Sequence, residues 1–556
     1  MPSTHEVTNQ ALPLSGHNLF AGNHGLRDAL MFNAPGLDTA ALHALGEQLG
    51  RPEMQEHAKL ANQHKPQLHS HDRFGRRIDE VEFHPSYHAL MGAATAAGLH
   101  GTPWAGGAQA HLQRAAAFML FTELEPSVLC PISMTYAVTP ALRANAAIHA
   151  QWLPKLASTA YDPRLVPFDQ KAGVTMGMGM TEKQGGSDVR SNTTQARFEE
   201  QTPWGARYAL LGHKWFLSAP MCDAFLVLAQ SSAGLSCFFL PRMLADGSSE
   251  GRRNRVFIQR LKDKLGNQAN ASSEVEFDDA HAWLVGEEGR GVPQILEMGT
   301  RTRLDCALGT SGLMRQALSL ALHHTAQRKA FGRRLIEQPL MRNVLADLAL
   351  ESEAATALSL RLARAFANDT DHELQMRRLL TPVAKFWVCK RGSHFAQEAM
   401  ECLGGNGYVE EGGAGVMARI YREMPVNSIW EGAGNIMTLD LLRCLRKLDK
   451  QGGTDGDCVA ALRIELAPAR RAHAALDAYA ARLFERIDES RDEIEARRLA
   501  QDIALLMQAA LLCQHAPSFV FDAFCRSRLG SDSGRAFGTL PAGLAFDDLI
   551  ARAMPG

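Results

Sequence analysis

One segment in the last third of the chain combines residue types that could carry out chemistry on a flat ligand. It places a carboxylate, Glu431, between an aromatic ring, Trp430, and Gly432. The glycines Gly432 and Gly434 allow the backbone to bend and to approach a ligand closely. Asn435 then opens an apolar run that predicts a helix, and the free N–H groups at a helix N-terminus can bind an anion or a carbonyl oxygen. A tight turn that caps a helix would explain the same residues without any chemistry.

Length, composition and charge exclude several classes of protein. The 556 residues predict about three or four domains, and 46% hydrophobic with 21% charged residues is typical of globular chains. A net charge of −2 gives no overall attraction to nucleic acid or to membranes, so any anion site must be a local patch. The longest apolar stretch, 503–513, is shorter than the ~20 residues that span a bilayer, and the first twenty residues show no secretory signal. We therefore expect a cytoplasmic protein without a membrane partner.

The cysteines and histidines indicate neither disulfides nor a metal centre. Ten cysteines are scattered without a Cys-x-x-Cys pair, which favours a reducing compartment. His84 and His88 stand four residues apart, but Pro85 lies between them and no third ligand is suggested. We therefore expect no bound metal.

The patterning of the chain changes three times and predicts four domains. Residues 1–175 are Ala-rich and helical, whereas 176–285 contain several short strand-like runs that indicate a compact barrel or sandwich. Residues 286–450 contain four long helical patterns, one of them running from Pro339 to about residue 367 and the next from Pro382, which is enough for a four-helix bundle. A polar glycine linker at 451–457 opens the last predicted domain, 451–556, which is an appended helical domain. The expected fold is mainly α with a central β domain.

Three motifs occur in this helical, β and helical order. The first is Met-Thr-Glu-Lys-Gln-Gly-Gly-Ser-Asp at 180–188, and the second is Gln-Arg-Lys-Ala-Phe-Gly at 327–332, followed by Gln338. The third, Met-Glu-Cys-Leu-Gly-Gly-Asn-Gly-Tyr at 400–408, leads to Trp-Glu-Gly at 430–432. Together they resemble the acyl-CoA dehydrogenase superfamily of flavoproteins over about residues 80–448. Any single motif is moderately specific, and all three in this order and spacing are strongly so.

The resemblance narrows to the AidB-type branch of the superfamily, the adaptive-response flavoproteins of DNA alkylation. It rests on 177–188, on His-Lys-Trp-Phe at 213–216, on 261–267, on 421–432 and on the extra C-terminal domain, so it covers nearly the whole chain. It implies an acyl-CoA dehydrogenase-like fold, with a helical N-terminal domain, a β-barrel or sandwich, a four-helix bundle and an extra C-terminal helical domain.

FAD is the cofactor that the resemblance implies. The hydroxyls of Thr181 and Ser187 could bond the polar edge of a flavin, and the guanidinium of Arg328 could bind its pyrophosphate. Alone, these features would indicate a polar hairpin loop and a solvated charge at a helix end. The residues expected to bind FAD are Met178, Gly179, Met180, Thr181, Gly186, Ser187, Phe216, Leu217, Ser218, Arg328, Gly404, Gly405, Ile429, Trp430, Glu431, Gly432, Gly434 and Asn435.

Oligomerisation belongs to the same expectation. In the family, the residue that matches Arg328 reaches a flavin held mainly by a neighbouring subunit, and the segment around Gly404 lies along its adenosine part. The resemblance therefore implies a homo-oligomer, and we expect a tetramer. We also expect the three-ring system to lie between the glycine-rich loop of the β domain and the corner at Glu431.

Glu431 matches the residue that serves as the catalytic base in many family members. Removal of an α-proton from an acyl thioester requires a carboxylate within hydrogen-bond reach and a polarised carbonyl. Trp430 stands where the family more often has Tyr, and the larger ring could narrow the acyl pocket. The resemblance implies at most weak, isovaleryl-CoA-like dehydrogenase activity and a role in protecting DNA, with an acyl-CoA or an alkylating agent as the small-molecule partner.

Double-stranded DNA is the macromolecular partner that the resemblance implies, bound through the C-terminal domain. Residues 451–556 hold 12 Arg, no Lys and 15 acidic residues, a net charge of −3 with the wrong sign for a simple electrostatic footprint. We expect mostly non-specific binding, because no base-reading motif is visible. The candidate contacts are Arg443, Arg446, Lys447, Arg471, Arg482, Arg486 and Arg497. The last four are expected on one side of a single helix, with Leu476, Leu483, Ile487 and Ile494 facing a core, although a salt-bridged solvated face explains them equally well.

Three hypotheses follow. The first is an FAD protein that binds duplex DNA and guards it against alkylating agents. The alternative is a metabolic short- or branched-chain acyl-CoA dehydrogenase with an enlarged C-terminus. The third is a scaffold that keeps FAD only for folding.

Overall fold

The computed structural model describes residues 4–248, 251–410, 415–446, 458–489, 492–530 and 534–556. The helices are α1 His24–Asn33, α2 Ala40–Leu49, α3 Pro52–Gln63, α4 Pro85–Ala96, α5 Ala108–Leu124, α6 Leu129–Leu142, α7 Ala146–Leu156, α8 Gly291–Gln327, α9 Pro339–Ala367, α10 Asp371–Glu401, α11 Gly405–Tyr408, α12 Val416–Asn427, α13 Gly434–Arg446, α14 Cys458–Leu466, α15 Ala474–Glu489, α16 Ala496–His515, α17 Ser518–Phe524 and α18 Phe546–Ala553.

The strands are β1 Gln67–His71, β2 Arg77–Glu82, β3 Met176–Gly179, β4 Gln195–Thr202, β5 Gly205–Ser218, β6 Ala224–Ser231, β7 Gly234–Pro241, β8 Met243–Leu244, β9 Arg252–Arg253, β10 Val256–Leu261, β11 Ser272–Leu284, β12 Lys329–Ala330 and β13 Arg333–Arg334.

The chain divides into two compact units, each packed mainly against itself. The first unit is Met1–Gln55, His111–Leu124 and Cys306–Gly556, and the second unit is Glu56–Ala110 and Glu125–Asp305.

A seven-stranded sheet forms the centre of the second unit. Its strands pair in the order β10-β11-β5-β4-β6-β3, and β7 pairs with both β6 and β11. The circuit β11-β5-β4-β6-β7 therefore returns to β11, so the predicted barrel is confirmed. β6 and β7 supply its core, since Phe225, Val227, Phe238 and Phe239 are fully buried.

Several strands were not predicted from the sequence, namely β4, the hairpin of β1 and β2, and the two-residue strands β8, β9, β12 and β13. β4 shows little alternation of buried and exposed residues, because Ala196 is its single buried residue. Its polar composition therefore gave no strand signal in the sequence. The hairpin of β1 and β2 interrupts the predicted helical region and pairs Gln67 with Glu82. Both strands are half-exposed and carry histidines and charges in place of the apolar residues that mark a buried strand.

The first unit contains the helical bundle. α9 begins at Pro339, as predicted, because proline suits the first turn of a helix. The next helix, α10, was wrongly predicted to begin at Pro382. It begins at Asp371, where the hydroxyl of Thr370 accepts a hydrogen bond from the amide N–H of Glu373 at 3.3 Å, and Pro382 lies inside it. α10 packs against α9, α12, α13 and α16.

The C-terminal helices pack on this bundle through a buried charge network. Arg361 of α9 is fully buried and donates to Glu465 of α14 at 2.5 and 2.9 Å and to Glu373 of α10 at 2.7 Å. His372 also contacts Glu465, with its Nε2 3.0 Å from a carboxylate oxygen. α14 is therefore fixed to two bundle helices by charged hydrogen bonds, which are stronger than neutral ones.

The apolar stretch at 503–513 lies inside α16, whose residues there are mostly buried. In the part of the chain that the structure describes, no helix combines the length and apolarity needed to cross a membrane. The predicted linker 451–457 lies outside the described residues.

Candidate functional site

In the second unit, β3 carries the chain into the glycine-rich loop. All four residues of β3 are buried, and the strand lies at the edge of the sheet, parallel to β6. Its continuation, Thr181, accepts a hydrogen bond from the amide N–H of Trp215 at 2.8 Å. The loop at 180–188 and the end of β5 are thereby held together. The predicted residues Met178, Gly179 and Leu217 meet at this place, since a Cβ on Gly179 would lie 2.7 Å from the Leu217 side chain.

A buried ion pair fixes the start of the loop. The side chains of Glu182 and Lys214 are completely buried, and Lys214 Nζ donates to Glu182 Oε1 at 2.6 Å. Glu182 also accepts from the backbone N–H of Thr193 at 2.7 Å and of Thr194 at 3.3 Å. Burial acts to raise the pKa of Glu182, but the Lys214 ammonium and these donors outweigh it and lower the pKa to about 2.

The loop leaves polar groups and a ring surface available to a ligand. The hydroxyls of Thr181 and Ser187 form no hydrogen bond within the described residues. A Cβ on Gly186 would lie 2.4 Å from Thr181 Oγ1, so only glycine allows this approach. The ring of Phe216 is 47% exposed, and Ser218 Oγ lies 3.3 Å from Ser272 Oγ.

In the first unit, the corner between α12 and α13 holds Glu431 in an unusual backbone conformation. Glu431 has a φ of 58°, in the left-handed region that residues with a Cβ rarely adopt, and Gly432 follows with a φ of 106°. Such a residue costs about 1–3 kcal/mol and persists only where its surroundings enforce it. Lys385, which is 1% exposed, contributes by donating to the carbonyl of Gly432 at 2.6 Å.

A contact from the C-terminal helices fixes the other side of this corner. Arg497 of α16 donates to Asn435 Oδ1 from Nε at 2.9 Å and from Nη2 at 2.7 Å. Beside it, a cleft of about 370 Å³ is lined by Phe386, Trp387, Lys390, Arg497, Arg498 and Gln501. A Cβ on Gly434 would lie 2.8 Å from Lys390 Cε, so Gly434 packs closely against the end of the Lys390 side chain.

The side chains around the corner offer both apolar and polar contacts. Ile429 is 63% exposed. The Nε1 of Trp430 is buried and has no hydrogen-bond partner in the structure. An orphaned buried donor of this kind indicates a missing acceptor, such as a ligand or water.

Arg328 lies at the base of a hairpin formed by β12 and β13. Its Nη1 donates to the carbonyl of Asn9, and the Asn9 side chain bonds both backbone groups of Lys329, at 2.8 and 2.9 Å. The loop of the hairpin is Phe331-Gly332, both with positive φ, and the ring of Phe331 is 99% exposed. Gly404, with a φ of 61°, precedes α11, and Gly405 is the first residue of that helix; both are exposed.

The arginines expected to contact DNA occupy different environments. Arg443 is 72% exposed, with Asp440 at 4.0 Å, and Arg482 is exposed over the ring of Tyr479 at 5.2 Å. Arg471 is exposed, whereas Arg486 pairs with the buried carboxylate of Asp502. Arg446 is the last residue of α13, and Lys447 lies outside the described residues.

The expected single helix for four of these arginines is wrong. Arg471 has a φ of 64° and precedes α15, and Arg497 belongs to α16. A new helical start intervenes, where Asp492 accepts from the N–H of Ile494 at 3.3 Å. Ile494 is 85% exposed, contrary to expectation, whereas Leu476, Leu483 and Ile487 are buried as predicted.

A second basic cluster, at 252–264, is largely neutralised. Arg253 pairs with Glu80, Arg255 with Asp278, and both Arg260 and Lys262 with Glu274. Lys262 also lies over the ring of Trp215 at 3.2 Å. The charges of the cluster at 252–264 therefore offer little attraction to phosphates.

Sequence reasoning missed the structural roles of Glu182, Lys214 and Lys385. Glu182 lies in the motif at 180–188 and Lys214 in the motif at 213–216, yet a sequence does not show which charged residues are buried. Lys385 gave a signal, because it interrupts the apolar run at 382–389 of α10, and a lysine there must find a partner.

The chemistry of these residues suits a flat ring with polar edges. The second unit supplies two hydroxyls without partners and the exposed ring of Phe216. The first unit supplies an unpartnered indole N–H, a carboxylate and exposed apolar surface. Each unit thus fits part of what a flavin requires.

Comparisons with known proteins identify the family. Residues 9–163 match the adaptive response protein AidB N-terminal domain, 177–280 the acyl-CoA dehydrogenase middle domain and 289–445 the acyl-CoA dehydrogenase C-terminal domain. The chain is 47% identical to AidB of Escherichia coli (strain K12) over 96% of its own length and 95% of the relative.

Two solved structures have a similar fold. The apo form of Bd2924 has a TM-score of 0.81 at 28% identity, over 92% of this chain and 100% of that chain. ACDH-11 of Caenorhabditis elegans, in complex with C11-CoA, has a TM-score of 0.79 at 25% identity, over 99% of this chain and 93% of that chain. Members of the acyl-CoA dehydrogenase family are FAD-dependent flavoproteins, and FAD is the cofactor here. The chain belongs to the acyl-CoA dehydrogenase family, in its AidB-type branch.

Proposed function

We propose that this flavoprotein binds double-stranded DNA and protects it against alkylating agents, with at most weak acyl-CoA dehydrogenase activity. The supporting observation is the 47% identity to AidB, which extends over 96% of the chain and so includes the C-terminal helices. The exposed Arg443, Arg471 and Arg482 support the DNA part of the proposal, because each can reach a phosphate without leaving a carboxylate buried and unpaired.

FAD is proposed to bind through the loop at 180–188, the end of β5, Arg328, the turn at 404–405 and the corner at 429–435. Bound FAD would supply the hydride acceptor for oxidation of an acyl-CoA. The proposed role of Glu431 is to take the α-proton, and the contacts of Lys385 and Arg497 hold its corner in place.

A DNA titration tests the proposed function. Purified FAD-loaded protein is titrated into a fluorescein-labelled duplex of mixed sequence at several salt concentrations, and anisotropy is measured. We expect affinity to fall steeply with salt and to change little between duplex sequences. Absence of salt-sensitive binding at low ionic strength would refute the DNA part of the proposal.

A metabolic acyl-CoA dehydrogenase is the second candidate function. It is favoured by the likeness to ACDH-11, whose structure contains C11-CoA. Steady-state assays over short, branched and long acyl-CoAs decide between the two. Rapid turnover together with no DNA binding would favour the metabolic enzyme.

Arg497 offers a way to separate the flavin corner from the DNA contacts. Arg497→Met removes both hydrogen bonds to Asn435, and we expect the affinity for FAD to fall about tenfold, since bonds to charged groups contribute roughly 1.5–3 kcal/mol. Arg443→Met is the matched variant, because Arg443 is exposed and its one ion pair among the described residues is with Asp440 at 4.0 Å. It should lower DNA affinity and reduce the salt slope by about one, with FAD binding unchanged. If both substitutions lower DNA affinity equally and neither changes FAD affinity, Arg497 does not position the corner.

The protein is further proposed to be a homo-oligomer, and a tetramer is expected. Several large apolar side chains of the first unit are exposed in or near the motif segments, namely Phe331, Leu340, Tyr408, Val409 and Ile429. Aromatic side chains are enriched in protein–protein interfaces. The hairpin tip at Phe331 is the strongest case, because its ring has almost no contact with its own chain.

Phe331→Asp is therefore expected to shift the protein toward smaller species and to lower its FAD content. A buried aromatic at an interface contributes several kcal/mol, and a charge there opposes association. Sedimentation velocity and the ratio of flavin to protein absorbance measure both effects. Phe74→Asp, at an exposed turn between β1 and β2, is the control and should leave the oligomer intact. An unchanged sedimentation coefficient for Phe331→Asp would contradict this interface.

A further inference from the structure

A partly enclosed cavity of about 180 Å³ lies within the second unit, among β2, α4, the segment at 161–175 and the turn that follows β5. Aromatic and sulfur-containing side chains form much of its wall. The rings of Phe83 and Tyr87 stack with centroids 4.0 Å apart and planes 14° from parallel. Met91 and Met221 also line it, and thioethers make favourable contacts with aromatic rings.

Polar groups also reach the cavity, and one of them lacks a partner. Tyr87 is 6% exposed, yet its hydroxyl forms no hydrogen bond within the described residues. His88 Nδ1 and the hydroxyl of Tyr161 lie 2.8 Å apart and form a hydrogen bond. The Tyr87 hydroxyl is therefore available to a molecule held in the cavity, and such a hydrogen bond contributes about 0.5–1.5 kcal/mol.

The charges around the cavity are balanced. Lys171 Nζ pairs with Asp223 Oδ1 at 2.5 Å, and both side chains are buried. Of the carboxylates that line the cavity, Asp162 pairs with Arg164 at 2.6 Å, and Glu80 pairs with Arg253. Burial lowers the pKa of His88, so the imidazole is neutral near pH 7. A charged ligand would find no uncompensated partner here and would lose its hydration.

The turn beside the cavity is held in a rare backbone conformation. Ala219 lines the cavity and has a φ of 50°, which is unusual for a residue with a Cβ. Its N–H donates to the carbonyl of Ala271 at 2.8 Å, and its carbonyl accepts from Cys222 at 2.9 Å. Conformations of this kind concentrate at ligand sites. Burial raises the pKa of the Cys222 thiol, so the site is one for reversible binding and not for covalent capture.

We propose that this cavity binds a neutral, planar aromatic molecule of about the size of phenol, with one hydrogen-bonding group directed at Tyr87 and the His88–Tyr161 pair. A cavity of roughly 150 Å³ accommodates a benzene-sized molecule, so the volume of about 180 Å³ leaves room for one polar substituent. The stacked aromatic wall favours a flat ligand. This site is separate from the residues proposed for FAD and DNA.

Calorimetric titration of the FAD-loaded protein with phenol tests the proposal, with benzene, cyclohexanol and benzoate as comparison probes. We expect phenol to bind once per chain with a Kd below about 1 mM, benzene to bind about tenfold more weakly, and cyclohexanol and benzoate to show no saturable heat.

Two substitutions make the test specific to the cavity. Tyr87→Phe removes a hydroxyl that bonds no described residue, so folding should be unaffected, and it should weaken phenol about tenfold without changing benzene. Met91→Phe fills space and should abolish binding of both probes. Phe74→Leu, which alters an exposed ring between β1 and β2, is the control. The proposal is overturned if phenol gives no saturable heat, if Tyr87→Phe and Met91→Phe bind it as the parent does, or if a crystal soaked in phenol shows only water in the cavity.

Discussion

Glu431→Gln is expected to slow reduction of the bound flavin by an acyl-CoA by about 10²–10⁴-fold. A positioned general base contributes that range, and glutamine retains the shape of the side chain while it cannot take a proton. The corner supports this role, because Glu431 is held at a φ of 58° by its surroundings. Stopped-flow absorbance of the flavin under anaerobic conditions, with isovaleryl-CoA as the probe, measures the rate.

Two other properties of this variant serve as internal controls. FAD content should stay close to that of the parent, since glutamine keeps the length and the carbonyl oxygen of the side chain, and DNA affinity should be unchanged, since no arginine is altered. Asp440→Asn, on the neighbouring helix α13, is a matched removal of a carboxylate charge and should leave the rate unaltered. A Glu431→Gln protein that is reduced as fast as the parent would show that Glu431 is not the base.

Lys214→Met is expected to lower the free energy of unfolding of the protein by about 3–5 kcal/mol, because it leaves the fully buried Glu182 carboxylate without its cation. The double variant Glu182→Leu with Lys214→Met should recover much of this loss, since removing both charges leaves no unpaired ion. Denaturant unfolding followed by fluorescence measures each species. Lys183→Met is the control, because Lys183 is exposed and adjacent in sequence.

The pH dependence of this effect has a defined sign. The pKa of Glu182 is lowered to about 2, and burial lowers the pKa of Lys214 to about 8. The pair's contribution is therefore complete between about pH 4.5, the ordinary value for Glu, and about pH 7, and it is lost as the pH falls toward 2. The difference between the parent and Lys214→Met should shrink as the pH falls from about 4.5 toward 2. A difference that stays constant down to pH 2, or a double variant no more stable than Lys214→Met, would contradict the ion-pair account.

Local signals allowed much of the fold to be predicted from the sequence. The start of α9 at Pro339 and the strand at 176–179 follow from proline placement and from period-two alternation. β4 was missed because it is a half-exposed strand with one buried residue. The start of α10 was misplaced because Pro382 was given more weight than the capping residue Thr370.

The contacts that fix the corner could not be predicted from the sequence. Lys385 reaches Gly432 across 47 positions, and Arg497 reaches Asn435 across 62. Such pairs depend on how helices pack in space, and nothing in the local pattern distinguishes Arg497 from a solvated arginine. Its placement with the DNA candidates followed from a helix that the structure divides into α15 and α16.

The buried network of Arg361 has a consequence for truncated forms of the protein. Glu465, which supplies two of the hydrogen bonds to Arg361, belongs to α14. Cutting the chain before α14 would leave this guanidinium facing only Glu373 in the interior of the bundle. A shortened protein would therefore lose bundle stability together with the arginines proposed to contact DNA, so point substitutions on the surface are the better test of the proposed interaction.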